Sequence, residues 1–108
     1  MYEKEIMASS REYLDFILDQ LSLLDDITYR PMMGEYIIYY QGKIIGGLYD
    51  DRFLVKKTSI GAKLMPDAIE EAPYEGAKPM LLVDEVDDRL FLKQLIIAMA
   101  EELPAIKK

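Results

Sequence analysis

Residues 27–57 constrain the fold more than any other part of this chain, because short β-prone segments alternate there with pairs of turn residues. Two such pairs, Gln41-Gly42 and Asp50-Asp51, leave connections too short to join anything but antiparallel neighbours. Pro31, which has no amide hydrogen to donate, predicts a sheet edge or a bend. The block therefore predicts an antiparallel meander. Its segments are Ile27 to Arg30, Tyr36 to Tyr40, Lys43 to Tyr49 and Arg52 to Lys57.

Helical patterns flank this block. Ser9 and Glu12 have capping-box spacing, and apolar residues then recur every three or four positions to form one face. A short helix is expected from Thr58 to Leu64, and Asp67 to Ala72 is expected to add a helical turn. Residues 89–103 predict a long final helix that Pro104 ends. The face of the first helix comprises Tyr13, Phe16, Ile17, Leu21 and Leu24.

Helices packed on an antiparallel meander make a two-layer α+β domain. The sequence thus predicts a sheet of about five strands, with Met80 to Val83 adding one strand to the meander. Gly46-Gly47 inside a strand predicts a bulge or close packing against a helix. With 108 residues and no repeat or linker, we expect one domain spanning residues 1–108.

The chain contains neither cysteine nor histidine. These absences remove disulfides, thiol nucleophiles, the usual general base and the commonest transition-metal ligand. We therefore expect a non-enzyme with no catalytic residues, no metal and no cofactor. The sequence has no apolar run long enough to span a membrane and no secretory signal at its start. We accordingly expect a soluble cytoplasmic protein with no membrane partner.

The net charge of −7 is distributed unevenly along the chain. Residues 1–26 carry −5 and residues 67–103 carry −7, whereas residues 27–66 carry +3. A basic sheet neutralised by acidic helices would explain this distribution, and so would a basic surface for an anionic partner. Because an acidic protein is repelled by phosphate backbones, a protein partner is expected and direct nucleic-acid binding is not.

The segment from Arg30 to Tyr40 is the most distinctive, since it places bulky side chains on both faces of one strand. Tyrosines on a half-buried sheet explain this pattern. Alternatively, Tyr36 and Tyr40 form an aromatic platform near Arg30, Lys43, Lys56 and Lys57 that stacks on bases or docks a partner. Among the acidic runs, Asp84 to Asp88 is the best candidate for a cation site, although it lacks the glycine turn of an EF-hand loop.

The order of several short motifs resembles the N-terminal domain of the TfoX family of competence regulators. Arg30-x-Met32-Met33-Gly34-x-Tyr36 matches the first motif of that family, and Tyr40-Gln41-Gly42 approximates the second. The later matches are Gly47, Asp50-Asp51, Phe53-Leu54-x-Lys56, Pro66, Tyr74-Glu-Gly and Lys78-Pro-Met80. The resemblance implies a two-layer α+β fold like that of secretion chaperones, a dimer, and a role in transcriptional control of DNA uptake. Full-length members add a C-terminal helical domain, so we expect a stand-alone N-terminal domain here.

From these observations we expect a regulatory protein-interaction module without catalytic activity. Its candidate binding residues are Arg30, Met33, Gly34, Tyr36, Tyr40 and Lys56. The last helix, apolar on more than one face, is the candidate homodimer surface. Two alternatives remain open. One is a nucleic-acid accessory protein that uses the basic, tyrosine-containing strands, and the other is an enzyme that uses lysine, tyrosine and carboxylates in a deep pocket.

Overall fold

A computed structural model describes residues 9–104 of the chain. Helix α1 precedes four consecutive strands, a short helix α2 follows them, and two further strands lead to the long helix α3. The bounds are α1 Arg11–Gln20, β1 Ile27–Met32, β2 Glu35–Tyr40, β3 Lys43–Leu48, β4 Phe53–Val55, α2 Ser59–Leu64, β5 Glu70–Glu71, β6 Met80–Leu82 and α3 Arg89–Glu102.

The six strands form one sheet in the order β1-β2-β3-β4-β6-β5, and every neighbouring pair is antiparallel. Two-residue turns connect β1 to β2 and β2 to β3, and Asp50-Asp51 turns the chain before β4. All three turns place residues at positive φ, as two-residue hairpins require. The predicted meander and the two-layer α+β class are thereby confirmed.

One face of the sheet is covered by the helices. Alternate side chains of the central strands, such as Ile38, Phe53 and Val55, point into a single apolar core. Leu14 and Ile17 of α1 pack into this core from one side. Among the helices, α3 contributes the most buried side chains to the core. The fully buried residues of α3 are Leu92, Leu95, Ile96 and Met99.

Three local predictions were wrong. The N-cap of α1 is Ser10, whose Oγ accepts a hydrogen bond from the Tyr13 amide at 3.0 Å, so the cap lies one residue beyond Ser9. The helical turn expected within residues 67–72 is replaced by β5, because Glu70 and Glu71 pair with β6. Phe16, expected on the apolar face of α1, is exposed, and Leu14 is buried instead.

Other features of the strands match the sequence. Pro31 lies in the edge strand β1, where a missing amide donor costs no ladder bond on the solvent side. The register between β2 and β3 shifts at Ile38/Tyr39, which leaves Ile45 as the extra residue of a bulge beside Gly46. A Cβ on Gly46 would lie 2.1 Å from the Leu54 carbonyl oxygen. The close packing is therefore against strand β4 and not against a helix.

Side-chain hydrogen bonds join two of the helices to each other and the helix layer to the sheet. Glu102 near the end of α3 accepts from the backbone amides of Ser59 and Ile60, at 3.0 and 2.7 Å, at the start of α2. Lys43 of β3 donates through Nζ to the Ala100 carbonyl at 2.6 Å.

No helix in the described part of the chain has both the length and the apolar character needed to cross a bilayer.

Candidate functional site

The sheet face opposite the helices, here called the open face, carries the other half of the strand side chains. Alternation along the strands and the pairing register assign to it Arg30, Ile37, Tyr39, Leu54 and Lys56. Leu54 is fully buried, yet it lies outside the helix-side core. The open face is thus partly covered by something other than a helix.

The segment of residues 73–80 lies beside this face, because it lines one groove together with residues of β3 and the residues that follow β4. Between this segment and the sheet runs a groove of about 620 Å³, here called the open groove. Lys56 and Tyr49 line it from the sheet side, and Tyr74 and Lys78 line it from the covering segment. The remaining wall is mostly apolar and includes Ile44, Ala77, Pro79 and Met80.

The position of the Tyr49 ring depends on Gly47, which has no side chain. A Cβ on Gly47 would lie 2.9 Å from both Cε2 and Oη of Tyr49, so the Tyr49 ring rests directly on the glycine backbone. Only 7% of Tyr49 is exposed. Burial, and then the nearby Glu35 carboxylate and Tyr74, raise the pKa of the Tyr49 phenol above its ordinary value of 10.0. The phenol is therefore protonated at neutral pH and keeps its hydroxyl as a donor.

Lysines concentrate positive charge at the open groove. Lys56, Lys57 and Lys78 all line it, whereas none of its lining residues carries a carboxylate. Lys57 is paired with Glu70, Nζ to Oε2 3.0 Å, and the neighbouring Arg52 is paired with Glu71. Within residues 9–104, Lys56 and Lys78 take part in no ion pair. Among the described residues, the ammonium groups of Lys56 and Lys78 are therefore the groove charges that no carboxylate pairs with.

The structure does not bring the six predicted binding residues together. Arg30 lies on the open face but in the edge strand β1, three strands from Lys56. Met33 and Gly34 form the tip of the β1–β2 hairpin, where Met33 is 97% exposed at a φ of 52°. Tyr36 and Tyr40 face the helix layer and pack on the core. Only Lys56 lines the open groove.

The tyrosines and basic residues considered for nucleic acid are divided between the two faces of the sheet. Tyr36 meets Tyr29 edge-to-face at 5.9 Å between ring centroids on the helix side. Lys43 is directed toward α3 by its bond to Ala100. Arg30 and Lys56, in contrast, lie on the open face. The basic residues and tyrosines named in that hypothesis therefore do not share one surface.

Sequence reasoning missed Tyr49, Tyr74 and Lys78 as partners of Lys56. Tyr74 and Lys78 stand out in the sequence only as elements of the family resemblance, and Tyr49 only as the end of a strand. A signal exists in Gly47, because a glycine two residues before a tyrosine in a strand leaves room for the ring on the backbone. No comparable local signal places the 73–80 segment over the sheet.

One residue of the acidic segment before α3 has a structural role. Asp88 is the N-cap of α3, with Oδ1 accepting from the Phe91 amide at 3.0 Å. Among the side chains that the structure describes, no three histidine, cysteine or carboxylate groups converge to hold a metal ion. The enzyme hypothesis required a deep pocket with lysine or arginine beside carboxylates; the open groove is lined by lysines, tyrosines and apolar residues, and one of these lysines, Lys57, is paired with Glu70.

Comparison with known proteins gives one informative match. No protein-family profile matches the chain, and no solved structure matches it. The chain is 32% identical over 102 residues to an uncharacterised 12.7 kDa protein encoded in the trpE 5′ region of Spirochaeta aurantia. The match covers 94% of this chain and 89% of the Spirochaeta protein.

Proposed function

We propose that this chain, which belongs to the family of the uncharacterised 12.7 kDa protein of Spirochaeta aurantia, is a non-catalytic protein-interaction module that binds its partner in the open groove. The observation that carries the proposal is the pair Lys56 and Lys78 on opposite walls of a partly apolar groove. Tyrosines in desolvated pockets are among the residues that dominate binding energy in protein interfaces, and charges beside them determine which partner is accepted.

The resemblance to the TfoX N-terminal domain supports a regulatory role for such a module. Several matching positions lie at the open groove, namely Gly47, Lys56, Tyr74, Lys78 and Met80. We therefore propose that the cytoplasmic partner of this chain is another regulatory protein and that the groove is the surface it contacts. Control of DNA-uptake genes is the process that this resemblance favours.

Affinity capture from the native cytosol tests the proposal. The full chain is compared with Lys56→Glu and with Lys63→Glu, which makes the same charge change at an exposed position of α2. We expect quantitative mass spectrometry to show partner proteins retained by the wild type and by Lys63→Glu but depleted by Lys56→Glu. Circular dichroism of the three proteins confirms that each is folded. Identical partner sets for all three proteins would contradict binding in the groove.

A further inference from the structure

We infer that the open groove recognises an acidic, extended segment of a partner polypeptide, an inference that rests on the protein-interaction role proposed above. Lys56 belongs to the sheet wall and Lys78 to the opposite wall, so positive charge flanks the groove on two sides. A carboxylate-bearing segment lying between the walls would meet an ammonium group on either side. Such charge complementarity sets which partner is accepted.

The shape of the groove favours a polypeptide. Its apolar wall, including Ile44 and Met80, suits aliphatic or aromatic side chains between acidic ones. Tyr74 is 61% exposed, so its phenol ring is available for contact without rearrangement of the core. An extended peptide presents alternate side chains to opposite walls. It therefore matches a groove that carries Lys56 on one wall and Lys78 on the other.

Carboxylates near the groove disfavour a nucleic acid. Glu35 lies close to the Tyr49 end of the groove, and Glu70 and Glu71 already neutralise Lys57 and Arg52. The chain as a whole has a net charge of −7. A nucleic acid carries a phosphate at every nucleotide. Phosphates that extend beyond the lysines would lie near these carboxylates and be repelled by them. A peptide can place neutral residues at the same positions.

Selection from a displayed random peptide library tests this chemistry even before a natural partner is identified. The immobilised full chain is expected to enrich peptides in which Asp and Glu alternate with apolar residues. The double variant Lys56→Glu/Lys78→Glu is expected to lose that acidic preference, whereas Lys63→Glu is expected to keep it. Binding of a selected peptide should weaken at least about tenfold in the double variant and should decline as salt is raised.

Two results would overturn the inference. One is enrichment of peptides without acidic bias by the wild type. The other is that acidic peptides do not bind, whereas a single-stranded oligonucleotide binds and its binding depends on Lys56 and Lys78. Either result leaves the proposed function standing if the cytosolic partners still depend on Lys56. Loss of that dependence removes the proposed function itself, so the two failures are distinguishable.

A separate observation concerns α3, and from it we infer that a second copy of the chain docks on the solvent face of this helix. Leu90 is 68% exposed and Ile97 is 38% exposed, and they share a shallow depression with Lys93 and Glu101. Lys93 and Glu101 lie four residues on either side of Ile97. An antiparallel pairing of two α3 helices about Ile97 therefore sets Lys93 against Glu101 of the second copy, twice by symmetry.

Charge reversal tests this pairing by sedimentation velocity of the full chain over a concentration series. One helix pair buries less than the roughly 1,200 Å² of a standard interface, so a weak dimer is expected. Lys93→Glu and Glu101→Lys should each weaken association about tenfold, and the double variant Lys93→Glu/Glu101→Lys should restore it. A wild-type monomer at every concentration, or a double variant no better than the singles, would overturn the inference.

Discussion

Replacing Gly47 with alanine tests how the sheet builds the open groove. The added Cβ would lie 2.8 Å from the Tyr36 carbonyl oxygen and 2.9 Å from both Cε2 and Oη of Tyr49. The Tyr36 carbonyl is fixed in β2, and the buried Tyr49 ring has little room to move. Overpacking of this kind costs about 1–3 kcal/mol, so we expect Gly47→Ala to lower the free energy of unfolding by about 2 kcal/mol.

This loss is large beside the roughly 5–15 kcal/mol that stabilises a typical domain. At about 4–8 °C per kcal/mol for a domain near this size, Tm should fall by about 8–16 °C. Urea and thermal unfolding followed by circular dichroism measure both quantities. Gly42→Asn is the control, because a Cβ at Gly42 meets no atom within 4 Å and asparagine tolerates a positive φ.

A double-mutant cycle identifies the cause. In a Tyr49→Ala background, two of the three closest atoms to the new Cβ are absent. The cost of Gly47→Ala should then fall by about 1 kcal/mol, a coupling typical of residues in contact. If Gly47→Ala changes stability by less than about 0.5 kcal/mol, or costs the same with and without the Tyr49 ring, the account of how Tyr49 is positioned is refuted.

Two further predictions concern other parts of the fold. The backbone amide of Ile60, and then the Ser59 hydroxyl and amide, hold the pKa of Glu102 below its ordinary 4.5. The stabilisation that the carboxylate gives is therefore present above pH 4.5 and lost as pH falls through the lowered pKa. Glu102→Gln should lower the urea midpoint at pH 7, and its difference from the wild type should shrink at acid pH, with Glu101→Gln as the control. Met33→Asn should raise the free energy of unfolding by roughly 1 kcal/mol. Met33 is exposed at a φ of 52°, a strained conformation for methionine, whereas Asn-Gly suits this turn. An unchanged or lower urea midpoint would show that Met33 does not strain the hairpin.

Local signals in the sequence were sufficient for most of the fold. Turn pairs such as Gln41-Gly42 and Asp50-Asp51 determine how adjacent strands connect, so the meander follows from neighbouring residues alone. The short helix expected from Thr58 to Leu64 is α2, and Thr58 is its N-cap, with its hydroxyl accepting from the Gly61 amide at 3.0 Å. The end of the last helix could also be predicted from Pro104, because proline cannot continue a helix.

Strand β5 and the open groove needed tertiary information. Glu70 and Glu71 have low β propensity, and they form a strand only because β6 offers a free edge for pairing. Likewise, Lys78 and Tyr74 line the same groove as Lys56 only because the chain brings the 73–80 segment back beside the sheet. The family resemblance picked out several of these residues separately. Nothing in their spacing along the chain indicates that they share one groove.

The most direct test of the central claim is the map of backbone amide shifts when a captured partner is added to the ¹⁵N-labelled full chain. We expect the perturbed signals to cluster at the open groove, in β3, in β4 through Lys57 and in the 73–80 segment, and we expect Lys56→Glu to abolish them. Perturbations confined to the solvent faces of α1 and α3, with the groove signals unchanged, would contradict the claim.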